Sequence, residues 1–122
     1  MRESARRYRD RGRKYLSQAS VELDQGDFAQ ASEKGWGAAA QFVKAAAEER
    51  GWTHGRHNHL FGIVRQLAEE IDNEELRVQF GLASDLHTNY YEEHLDEEDV
   101  RFNLDRVRQL VTSIDSVLSN GA

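Results

Sequence analysis

The chain has 122 residues, with 16 basic and 22 acidic side chains for a net charge of −6, and neither cysteine nor proline. That length fits one domain, residues 1–122, with a core of its own, and without cysteine there is neither a disulfide nor a thiolate metal site. No apolar run approaches the ~20 residues a membrane span needs, and Met1-Arg2-Glu3-Ser4 opens no apolar leader, so the expected setting is the cytoplasm with no membrane contact.

Proline breaks helix interiors, and its absence beside abundant Ala, Glu, Arg, Gln and Leu predicts long helices joined by short turns. The first helix runs from about Glu3 to Leu23, with Ala5, Tyr8, Tyr15, Ala19 and Leu23 near the helical period. Gly26 supplies a left-handed turn, and Asp27 with Gln30 has the spacing of a helix-capping box. The second helix runs from Phe28 to Arg50 and stops at Gly51. Small and apolar residues cover so much of its circumference that it is the expected central helix. Gly35 and Gly37 inside it each cost about 1 kcal/mol of helix propensity, a cost the close approach of a neighbouring backbone would offset.

Residues 51–58 form the longest interruption, with Asn58 the expected cap of a third helix carrying Leu60, Ile63, Val64, Leu67 and Ile71. Asp72, with Glu75 three residues on, is the expected cap of a fourth helix bearing Leu76, Phe80, Ala83, His87 and Tyr90. Asp96 opens a fifth, striped by Val100, Leu104, Val107, Val111, Ile114 and Leu118 and ended by Asn120-Gly121. Short connections favour antiparallel neighbours, so the expected fold is an all-α, antiparallel up-and-down bundle of four to five helices.

Charge is unevenly placed. Residues 2–14 carry Arg2, Arg6, Arg7, Arg9, Arg11, Arg13 and Lys14 against Glu3 and Asp10, whereas residues 92–99 are acidic. A basic helix can meet phosphates, but such runs are also ordinary solvated faces or pair with each other between protomers.

Several groups have chemical potential. His54, His57 and His59 have spacing that can offer imidazoles to a metal, but loop spacing alone fixes no geometry, and no Glu-x-x-His pair of the di-iron kind occurs; no metal site and no cofactor is expected. Arg50 and His57 bracket six residues; an arginine that holds a phosphate beside a histidine that moves a proton can cleave RNA at its own 2′-hydroxyl. Leu86-His87-Thr88-Asn89-Tyr90-Tyr91-Glu92 gathers polar and aromatic groups at a helix end, either as a ligand-binding wall or as a satisfied cluster tying that helix to the turn before the third. The run Lys34 to Ala40, with Lys44, lacks the strand and the Gly-Lys-Ser/Thr ending of a phosphate-binding loop.

The segments Ala31 to Ala45, Arg50-Gly51-Trp52-Thr53-His54 and Leu86 to Glu92 together resemble the PaREP-type branch of HEPN-like (higher eukaryote and prokaryote nucleotide-binding) domains. The resemblance implies a dimeric helical bundle of the kind found among RNA-cleaving toxins, defence nucleases and nucleotide-binding partners of a nucleotidyltransferase. Catalytic members carry an arginine and, with four to six residues between them, a histidine near the start of a late helix. Arg50 and His57 have that separation here, although Gly51 follows the arginine where a polar residue is usual. The leading expectation is therefore a homodimer that binds a nucleotide, RNA or protein partner through Trp36, Lys44, Arg50, His54, His57, His87, Asn89 and Tyr91. The alternatives are a metal-independent endoribonuclease built on Arg50 and His57, and a purely structural interaction module.

Overall fold

A computed structural model describes residues 1–120, except for the side chains of His57 and Asn58. It holds five helices: α1 (Glu3–Asp24), α2 (Phe28–Arg50), α3 (His57–Glu70), α4 (Glu75–Glu92) and α5 (Glu97–Ser119). Helix α2 is central and packs against the other four. Phe42, Phe80, Leu67, Leu76, Leu86, Leu104, Leu110 and Ile114 fill the interior around it.

The α1–α2 hairpin is set by small residues. Ala5, Gly12 and Ala19 recur every seventh position on the buried face of α1. A Cβ on Gly12 would come within 2.6 Å of the Phe42 ring and 3.3 Å of the Ala38 carbonyl oxygen, so only glycine admits this approach. The α2 glycines work differently from the backbone contact expected of them. A Cβ on Gly35 would overlap Leu104 and press on Leu86, and one on Gly37 would lie 3.0 Å from the Tyr15 ring. What they admit is side chains of α5, α4 and α1.

Asp27 caps α2, its side chain accepting from the Gln30 N–H (3.1 Å), and Gly51 ends that helix in the left-handed region. Asp96 caps α5 through the Asp99 N–H (3.0 Å). Two expected caps move. Asp72 does not cap α4; it closes α3, with φ of 53° and its N–H on Glu69 O, while the Asn73 N–H reaches Ala68 O (2.9 Å). Aspartate tolerates both positions, and the left-handed closure takes it here. Helix α3 begins at His57, with Arg56 as its N-cap, and the Arg56 N–H donates to His59 Nδ1 (3.3 Å). Asn58 is thus inside the helix, and its side chain lies outside the described residues.

Contacts fix the helix directions. Arg13 of α1 pairs with Asp115 of α5, and Arg108 of α5 donates to Ser20, so α1 and α5 run antiparallel. Phe61 of α3 meets Phe80 of α4, and Gln79 of α4 meets Gln109 of α5. The connection from α2 to α3 is the unusual one. Residues 51–56 run back along α2, so that His54, Gly55 and Arg56 lie beside Lys44, Ala40 and Trp36. Helix α3 then travels in the same sense as α2 and ends with Glu70 on Arg50.

Candidate functional site

The returning segment covers a half-open pocket of about 170 Å³ lined by Trp36, Ala40, Lys44, His54, Gly55, Arg56 and Leu60. Local chemistry holds the segment down. The Trp52 N–H bonds back to Ala47 O (2.8 Å), and its indole packs on the core. His54 donates from Nε2 to Glu48 Oε2 (2.6 Å), and its ring stands edge-on to Tyr8 at 5.4 Å. The Glu48 carboxyl lies below the usual carboxylate value, first because the Ser4 hydroxyl bonds it and then because His54 does.

This arrangement decides the state of Lys44. Glu48 follows Lys44 by four residues, the spacing at which a helical ion pair forms. Since Glu48 is turned to Ser4 and His54, no carboxylate among the described residues lies within ion-pair distance of Lys44. The Arg56 guanidinium likewise has no carboxylate, so the cavity gathers two cations without counter-charges. Trp36 is only 8% exposed, with its ring stacked on His87 (5.2 Å) and tilted against Phe80 (5.4 Å). It gives the cavity a wall and leaves no open face on which a base would stack.

The remaining expected site residues lie elsewhere. His87 bonds Glu33 (2.9 Å) and meets Tyr91, which is 71% exposed, edge-to-face at 5.5 Å, on the α4 side of Trp36. Asn89 is 2% exposed; it donates to Ser32 Oγ (2.9 Å) and accepts from the Leu95 N–H (2.7 Å). It ties α4 to α2 and to the segment before α5, not to the turn before α3. The Arg50 guanidinium forms a two-pronged pair with Glu70, which raises the arginine pKa and lowers that of the glutamate, each mainly through their hydrogen bonds. Glu70 and His57 stand at opposite ends of α3, about 20 Å apart at ~1.5 Å per residue. The His57 side chain itself lies outside the described residues.

The chain matches the Archaeal PaREP1/PaREP8 family over residues 7–111. It belongs to that family. A crystal structure of a protein from Sulfolobus solfataricus is similar to the PaREP1/PaREP8 chain with a TM-score of 0.78 and 25% identity, covering 88% of this chain and 96% of that one. No protein of curated function matches it.

The bundle of this PaREP1/PaREP8 chain thus brings Trp36, Lys44 and His54 to one cavity and leaves Arg50, His87, Asn89 and Tyr91 out of it. Sequence reasoning missed Arg56 and Tyr8, which join the site only because residues 51–56 double back. Among the described residues, no group of three or more His, Asp or Glu side chains is arranged to hold a metal, and no helix is long and apolar enough to cross a membrane.

Proposed function

We propose that this PaREP1/PaREP8 chain is a HEPN-like binding module that holds the phosphate of a nucleotide or RNA in the cavity under residues 51–56. The observation that carries this reading is the convergence of Lys44 and Arg56, neither opposed by a carboxylate, on one half-open pocket beside His54. Size sharpens it. A cavity of about 170 Å³ falls below the ~300 Å³ at which pockets take whole drug-sized ligands, so it suits a phosphate with the sugar and base outside. Ribonuclease action by Arg50 and His57 is disfavoured, because one phosphate would have to meet both side chains and the arginine is held at the far end of α3.

The test is calorimetric titration with adenosine monophosphate and with adenosine. The monophosphate binds and the nucleoside does not; Lys44→Ala and Arg56→Ala each weaken binding by about 2 kcal/mol, the worth of a hydrogen bond to a charged group. Equal affinity for both ligands, or an unaltered Lys44→Ala protein, would overturn the reading.

A second copy of the chain fits the α3–α4 face. A hollow of about 470 Å³ there exposes Phe61 (43%) and Val78 (56%) beside Arg65, Arg77 and Glu74, so a two-fold partner can match apolar groups and both signs of charge. Light scattering would give a dimer mass for the native protein and a monomer mass for Val78→Asp. An unchanged mass removes this face from the assembly.

A further inference from the structure

Beyond the cavity, unopposed cations continue along the seam between α1 and α2. Lys34 lies over the Tyr15 ring (5.4 Å), and Gly37, with no side chain, lies against the same ring. One α1 turn back toward the N-terminus, Arg11 donates to Gln41 Oε1 (3.4 Å) and sits over Tyr8 (5.7 Å). Arg7, Tyr8 and Arg11 line a hollow of about 290 Å³, and the Tyr8 edge on His54 joins this hollow to the Lys44–Arg56 cavity.

Elsewhere on the surface, Arg9, Arg13, Arg77, Arg101 and Arg106 each rest on a carboxylate. Arg7, Arg11, Lys34, Lys44 and Arg56 have none within ion-pair distance among the described residues; the same holds of Arg6, Lys14, Arg65 and Arg108, but these line neither hollow of the seam, where the first five are gathered. In a chain of net charge −6, cations without counter-charges, interleaved with Tyr15, Tyr8 and His54, therefore make one continuous track. From Lys34 to Lys44 the track follows α2 for about 15 Å, at ~1.5 Å per residue. It is a single row, which suits one phosphate backbone and not the two of a duplex.

We infer that the α1–α2 seam binds a single-stranded nucleic acid, with one phosphate in the Lys44–Arg56 cavity and its neighbours running past Arg7, Arg11 and Lys34. The inference rests on the phosphate reading of the cavity and extends it from a mononucleotide to an oligomer. Phosphate contacts supply the affinity, and the tyrosine rings offer sequence-tolerant contacts to bases.

The experiment is fluorescence anisotropy with labelled RNA of one, two, four and eight nucleotides, and with a duplex of eight base pairs, over a range of salt. With about four phosphates engaged at ~0.7 each, log affinity falls against log salt with a slope near −3, about fifty-fold between ~50 and ~200 mM. The Arg7→Ala/Arg11→Ala protein, whose changes are on exposed helix positions, halves that slope to leave a loss of about sevenfold. Its mononucleotide affinity and melting temperature stay as they were, and Lys34→Ala acts on the longer oligomers in the same direction. If longer RNA binds no tighter than the mononucleotide while Lys44→Ala still weakens mononucleotide binding, the seam is wrong and the cavity stands. If no oligomer and no mononucleotide binds, both are wrong. A duplex bound as tightly as the single strand overturns the single-strand assignment.

Discussion

Replacing Asn89 with alanine separates a structural from a ligand-binding role. In the native chain the Asn89 amide donates to Ser32 Oγ, whose hydroxyl is already committed to Phe28 O (2.7 Å), and its carbonyl takes the Leu95 N–H. Alanine removes two hydrogen bonds worth about 1 kcal/mol each and leaves the half-buried Leu95 N–H without an acceptor, for another ~1 kcal/mol. The sum is about 3 kcal/mol. At ~2.1 cal/mol/K of unfolding entropy per residue, a chain of this length loses about 4 °C for each kcal/mol, so the melting temperature should fall by about 12 °C. Thermal melts followed by circular dichroism at 222 nm, without any ligand, measure this. A fall under about 3 °C would refute the account of Asn89 as the tie between α4, α2 and the start of α5.

The same melts test the helix glycines in opposite directions. Gly35→Ala pushes a methyl into Leu104, which is fully buried and has nowhere to go; overpacking of about 2–3 kcal/mol outweighs the ~1 kcal/mol propensity gain, and stability drops. Gly81→Ala on α4 meets nothing within 4 Å and should raise stability by about 1 kcal/mol, and a loss there would contradict the α4 surface described here. Glu93 adopts φ of 48° without being glycine, so Glu93→Gly should raise the melting temperature by a few degrees, from about 1–2 kcal/mol of relieved strain less about 0.4–1 kcal/mol of added chain entropy. The Arg50 bond lowers the Glu70 pKa from the ordinary 4.5, so that pair stabilises the fold above this value and its contribution fades as pH falls through the lower, folded value. Glu70 is partly exposed, which holds the pair to about 1 kcal/mol or less; Glu70→Gln should flatten that part of the acid limb of a stability–pH curve, and an identical curve would argue against the pair.

Much of the fold is legible in the chain. The bounds of α2 follow from the Asp27 cap and Gly51, and its central place follows from small residues on nearly every face. Asp72 is misread because the side chain that caps a helix start also tolerates the left-handed end of the preceding helix, and only tertiary packing chooses between them. The site is less legible. His54 and Lys44 are ten residues apart, and nothing in the local sequence says that residues 51–56 fold back over α2 to bring them together. The Arg50–His57 spacing suggests a catalytic pair, yet Glu70, distant in sequence, captures the arginine. The basic run of residues 2–14 is visible at once, but the counter-charges on Arg9 and Arg13, and their lack on Arg7 and Arg11, belong to the packed molecule.

Gly12 lies next to Arg11, and this adjacency locks two properties of α1 to one rotational phase. Each residue turns a helix by about 100°, so inserting a single residue between Arg11 and Gly12 would keep the length, composition and charge of α1 almost intact. It would nevertheless rotate Arg7 and Arg11 out of alignment with the glycine notch that seats the Phe42 ring. The guanidinium groups face outward along the seam because the notch beside them can face only inward.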